Sequence, residues 1–117
     1  MQIDKQGTED VRILVIQGEI RTEDARVLGD SFQDALEEGD LDLIIDLSDV
    51  KYITSAALGH IVSTAAVLRR RGGNLAVCGL SSEVKKAFSV TRIDRVVEVQ
   101  ANQEAALEKL RHLVHDN

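Results

Sequence analysis

Proline and tryptophan are absent from this chain of 117 residues, which has one cysteine, one tyrosine and two phenylalanines. Without a proline-rich linker or a shift of composition, a single domain spanning residues 1–117 is expected. One cysteine excludes an internal disulfide framework. The first residues carry no apolar segment of the signal-peptide kind, so the expected location is the cytoplasm. So few aromatics leave little to stack on bases, and a formal charge of -6 opposes phosphate backbones, which argues against a direct nucleic-acid partner. No apolar run approaches the ~20 residues of a membrane-spanning helix, so no membrane insertion is expected. Also missing are a Gly-x-x-x-x-Gly-Lys phosphate loop, a Gly-x-Ser-x-Gly nucleophile elbow and a metal-binding acid cluster.

With so few aromatics, Val, Leu, Ile and Ala must fill the core. The stretch that organises the chain is LIIDLSDVKYITSAALGHIV, Leu43 to Val62. Leu43, Ile44, Ile45 and Leu47 form a β-branched-rich run broken only by Asp46, which suits a strand buried on both faces. Ser48, Asp49 and Lys51 are loop material. Thr54 and Ser55 are hydroxyl residues of the kind that accept hydrogen bonds from the first free amides of a helix, and Ser55 is read as the N-cap. Ala57, Leu58, Ile61, Val62, Ala65 and Leu68 then recur at helical spacing. Arg69 to Arg71 suit the negative end of the helix dipole, and Gly72-Gly73 a glycine stop.

On either side the pattern alternates between strand and helix. Ile3–Gln6 reads as a short edge strand, Val11–Ile16 as a second strand, and Thr22 to Asp24 as the acidic start of a helix with Ala25, Leu28, Phe32, Ala35 and Leu36 inward. Leu75–Cys78 reads as another buried strand, with Cys78 in the core. Ser81 or Ser82 opens a helix burying Val84, Ala87 and Phe88. A strand is expected at Val96–Val99, and Asn102 begins a last helix with Ala106, Leu107, Leu110, Leu113 and Val114 inward. This alternation indicates an α/β layer with an antiparallel beginning and parallel strands after it.

Catalysis needs a nucleophile, a base and an orienting acid, and this region offers only Ser55, His60 and Asp46. His60 is five residues beyond Ser55 on a helix, more than a turn away, so no enzyme activity is expected. His112 and His115 stand three apart on the last helix without further ligands, which reads as a solvated face and not a metal site. No cofactor is expected.

The string Ile53-Thr54-Ser55-Ala56-Ala57-Leu58-Gly59 resembles the STAS family, the anti-sigma factor antagonists of bacterial partner switching, whose signature here runs roughly Asp-Ser-Ser-Gly-Leu-Gly. Gly18-Glu19-Ile20, Gly72-Gly73 before a Val-Cys strand, and Val84-Lys85-Lys86-Ala87-Phe88 extend the likeness over almost the whole chain. The resemblance implies a STAS-like single α/β domain, a mixed central sheet of 4-5 strands packed with about four α-helices. It also implies phosphorylation at Ser55, with Thr54 as the second candidate. Partner contacts are implied at Arg21, Thr54, Ser55, Ala56, Ala57, Gly59 and His60. The implied partners are an anti-sigma factor with serine-kinase activity, of the histidine-kinase-like ATPase type, and a PP2C-type phosphatase that resets the switch. Three positions depart from the pattern: Thr54 stands where many members have Asp, Ala57 where most have Gly, and Arg21 where an acid is usual. They leave an alternative, a docking subunit of a signalling scaffold or of an ABC-type lipid transporter whose loop is never phosphorylated.

Overall fold

The computed structural model describes residues 1–7 and 10–115, with side chains of the last helix as far as Leu113. Five strands, β1 (Gln2–Gly7), β2 (Arg12–Gln17), β3 (Asp42–Asp49), β4 (Asn74–Cys78) and β5 (Glu98–Gln100), form one sheet in the order β1-β2-β3-β4-β5. β1 and β2 are antiparallel and every other pair is parallel. A parallel neighbour cannot be reached by a hairpin, so each parallel step returns through a helix: α1 (Ala25–Glu37), α2 (Ser55–Arg70) and α3 (Ser82–Val90). A fourth helix, α4 (Gln103–His115), follows β5.

The pleat of β3 sorts the core into two layers. Leu43, Ile45 and Leu47 face Leu28 and Phe32 of α1, Ile61 and Leu68 of α2, and Val84 and Phe88 of α3. Ile44 faces the other way, with Ile13, Ala76 and Cys78, against Ala106 and Leu110 of α4. The central strand is thus buried on both sides, as its continuous apolar run predicts.

Local signals end most elements near where the sequence places them, although Thr22–Asp24, expected as the start of the first helix, forms a 3-10 turn ahead of α1. At the end of α2, Gly72 adopts φ +86°, its N–H donates to the Arg69 carbonyl, and the Gly73 N–H donates to the Leu68 carbonyl at 2.7 Å, the Schellman pattern. A Cβ at Gly73 would lie 1.8 Å from the Leu41 carbonyl oxygen, so only glycine fits where β4 starts beside β3. Two of the three arginines that close α2 also bind neighbouring loops. Arg69 donates to the Val96 carbonyl at 3.0 Å and Arg71 to the Leu36 carbonyl at 2.9 Å. The last strand also differs. Val96–Val99 is not a strand over its whole length: Ile93–Arg95 forms a 3-10 turn, Val97 is buried as a plug and donates to the Ile93 carbonyl, and β5 begins at Glu98. The inward placement expected for Val114, and the side chain of His115, lie outside the described side chains.

Ile45 is fully buried at the centre of β3. Replacing it with Ala is expected to lower the unfolding free energy by about 2 to 5 kcal/mol, read as a shifted midpoint in chemical denaturation at unchanged slope.

Candidate functional site: the loop between β3 and α2

Parallel strands deliver their loops to one edge of the sheet, and ligands of open α/β folds meet the molecule at such edges. Here three loops converge beyond the carboxyl ends of β2, β3 and β4. The Gly18 N–H donates to the Asp49 carboxylate at 2.9 Å, tying the β2–α1 loop to the β3–α2 loop. The Ser81 hydroxyl donates to the Lys51 carbonyl at 3.2 Å, tying in the β4–α3 loop. Gly79, at φ +71°, packs so tightly on Ser48 that a Cβ there would come within 2.7 Å of the serine side chain.

Within the middle loop, Val50 is buried and Ile53 packs on the core, so the segment is pinned at two points. Between them Tyr52 stands 64% exposed. Thr54 is extended (φ -85°, ψ 159°) and its Oγ1 accepts the Ala57 N–H at 3.2 Å, while its carbonyl accepts the Leu58 N–H. Thr54 is therefore the N-cap, which corrects the expectation that Ser55 fills that role. Ser55 is the first helical residue, exposed, and among the described residues its hydroxyl makes no hydrogen bond. The first turn of α2 carries no acidic residue, so nothing on it offsets the positive end of the helix dipole.

The residues expected to meet a partner fall into three groups. Arg21, Ser55, Ala56 and Gly59 are exposed. Arg21 lies on the converging β2–α1 loop, where its N–H donates to the Asp24 carboxylate at 2.9 Å. Thr54 and His60 are half-buried; the imidazole of His60 rests on Gly29 of α1, whose missing side chain makes room for it. Ala57 is fully buried with Leu58 and Ile61, so it packs and does not present a contact, a second correction. Its helical phase decides this: it shares the inward face of α2.

Ser55, His60 and Asp46 do not converge on a reactive centre. Asp46 accepts hydrogen bonds from Gln103 Nε2 of α4 at 2.6 Å and from the Ser48 N–H and hydroxyl at 2.9 and 2.7 Å. It thus points to the α4 side of the sheet, whereas His60 lies on α2 on the other side. Burial pushes the Asp46 carboxyl up, but the donors of Ser48 and Gln103 outweigh it and hold the group below the usual carboxylate range. Cys78, beside Asp46 in the sheet, is buried, and burial followed by the Asp46 charge pushes its thiol up to about 12. It is an inert core residue. His112 is exposed and lies 3.7 Å from Glu108. No group of three or more metal-ligating side chains occurs among the described residues. No helix among them is long and apolar enough to cross a membrane.

Sequence reading did not single out Tyr52 as a surface feature or the Asp46 node as a link between loop and helix. The available signals were a lone tyrosine in a turn and a lone acid inside an apolar strand.

The family described as STAS domain matches residues 2–106. The chain belongs to that family. It is 32% identical over 104 residues to the anti-sigma-B factor antagonist of Bacillus subtilis, covering 89% of this chain and 94% of that protein. The crystal structure of a Thermotoga maritima relative superposes with a TM-score of 0.88 at 29% identity, covering 93% of this chain and 94% of the other. The anti-sigma factor antagonist SpoIIAA in its unphosphorylated form shares the fold with a TM-score of 0.82 at 15% identity, covering 95% and 97%.

The cap assignment predicts that Thr54→Ala costs about 1 kcal/mol of stability while Ser55→Ala is near neutral, measured by thermal melts of the two variants. Asp46 gives a pH signature. A carboxylate held low in the folded state stabilises it above about pH 4, and that contribution disappears as pH falls through the folded value. Asp46→Asn should therefore melt lower than wild type at neutral pH and lose less on acidification below pH 4. Asp42 has the opposite sign, because burial raises its carboxyl against the Asn74 N–H it accepts, but it is common to both proteins.

Proposed function

We propose that this protein is an anti-sigma factor antagonist that works by partner switching in the cytoplasm. Unphosphorylated, it binds an anti-sigma factor that is also a serine kinase of the histidine-kinase-like ATPase type. Phosphorylation of Ser55 releases it, and a PP2C-type phosphatase restores the binding form. The chain itself is neither an enzyme nor a cofactor carrier; ATP is used by the partner, and residues 1–117 act as one STAS domain.

The observation that carries this reading is the division of labour between Thr54 and Ser55. The Thr54 oxygen holds the helix cap, so a phosphate there would compete with a structural hydrogen bond. The Ser55 hydroxyl is exposed and uncommitted at the positive end of α2. A phosphate at Ser55 adds about -1.5 to -2 charges at pH 7 where free amides and the dipole favour an anion, so the fold tolerates it. Release must then arise at the interface, where a new charge has to be desolvated or faces like charge; a loss of ~3 kcal/mol there is about a hundredfold in affinity. Arg21, Ala56, Gly59 and Tyr52 supply the surrounding contact surface. Tyr52 is its aromatic anchor, since it offers a large exposed side chain on a pinned loop.

The test is calorimetric titration of the anti-sigma partner, captured from the native organism, with Ser55 and Tyr52 variants, alongside thermal melts. Ser55→Asp is expected to bind about a hundredfold more weakly while melting close to wild type, and Ser55→Ala to bind constitutively. Tyr52→Ala is expected to lose at least about tenfold in affinity without loss of stability. Tight binding by Ser55→Asp, with no phosphate at Ser55 or Thr54 in cells, would replace this reading with that of an unphosphorylated docking subunit.

A further inference from the structure

The sheet ends at β5, which pairs with β4 on one side only. Beside that free edge runs an open groove of about 960 Å³. One wall is a single stripe of α3, in which Ser82, Lys85, Lys86 and Ser89 follow one another at i, i+3, i+4 and i+7. The other wall is the strand itself, Glu98 to Gln100, continued by Ala101 just beyond it, and Phe88 and Val97 close the floor. A groove between an edge strand and a helix stripe is the geometry in which an extended peptide adds itself as a further strand. Main-chain hydrogen bonds hold it, and alternate side chains meet the helix.

Charge selects the occupant. Lys85 and Lys86 are exposed, and among the described residues neither ammonium makes an ion pair, in a chain whose formal charge is -6. The two carboxylates that line the groove, Asp94 and Glu98, lie before and at the first residue of β5, so they disfavour acids only at that end. The edge at β1 offers no comparable arrangement. Its exposed residues include both Asp4 and Lys5, so its side chains do not present charge of one sign.

We propose that the α3–β5 groove is a second docking site, distinct from the Ser55 loop, which takes an acidic extended segment of another protein as a sixth strand. Carboxylates at alternate positions of that segment meet Lys85 and Lys86, while its backbone pairs with Val99 and its neighbours. This surface does not depend on the phosphorylation of Ser55.

The probe is a fluorescein-labelled heptapeptide of alternating pattern, SEVEVES, with SKVKVKS as its charge-reversed control. Each is titrated against the isotopically labelled full chain with anisotropy and amide chemical shifts as readouts. The acidic probe is expected to shift the amides of Glu98, Val99 and Gln100 and of α3, and to leave those of Tyr52 to Gly59 unmoved. Replacing both lysines, Lys85→Glu with Lys86→Glu, should weaken it about tenfold or more, and raised salt should do the same to wild type. Circular dichroism of the double variant shows that it is folded. Single Lys85→Gln and Lys86→Gln variants, each with an intermediate loss, exclude a misfolding artefact. Absence of binding, equal binding of the lysine probe, or shifts confined to the Ser55 loop overturns the proposal. So does sedimentation as a dimer in which the amides of Glu98 to Gln100 become protected from hydrogen exchange.

Discussion

Burial of β3 on both faces is the constraint from which the rest of the molecule follows. Leu43, Ile44, Ile45 and Leu47 are at most 1% exposed, so helices must cover the sheet on both sides. α1, α2 and α3 do so on one face and α4 on the other. A strand in that position has parallel neighbours on either side, and parallel pairing sends every following loop to the same edge. The β3–α2 loop is therefore where the core requires a loop to be, and it is anchored to the core through Val50 and Ile53.

Asp46 is the one interruption of this apolar layer, and its surroundings explain why the strand tolerates it. Its carboxylate accepts three hydrogen bonds, two from Ser48 at the start of the loop and one from Gln103 in the first turn of α4. A buried carboxylate without such partners would be costly, whereas one fully bonded gives direction to the groups that bond it. Here it ties the exit of β3 to a helix on the far side of the sheet. The geometry of the loop thus rests on packing from one face and on a polar node from the other.

The start of α2 assigns different structural roles to two adjacent hydroxyl residues. Thr54 spends its hydroxyl oxygen on the helix start, and Ser55 keeps its own free at the surface. A negative charge placed on Ser55 would meet the favourable end of the α2 dipole, so the fold would tolerate it. The groove at β5 differs in kind. It presents backbone and two lysines in place of a hydroxyl, so its chemistry is that of strand addition and charge matching.

Much of this was legible in the residues alone. The apolar run of β3, the hydroxyl pair ahead of α2 and the Arg-Arg-Arg-Gly-Gly ending are local signals whose physics acts within a few residues, and they determined the elements and their order. The string around Ser55 pointed to the β3–α2 loop as the candidate site. Which hydroxyl caps α2 depended on the backbone angles that anchored Val50 and Ile53 impose on Thr54, and those anchors exist only in the folded core. The same holds for Ala57, whose burial depends on the rotation of α2 against the sheet, and for β5, which starts only after the buried Val97 has plugged the core. Composition and periodicity by themselves determined a layered α/β domain with a serine at a helix start. Only tertiary packing decided which side chains at that start are structural and which are free, because burial and backbone angle at one residue are set by neighbours distant in the chain.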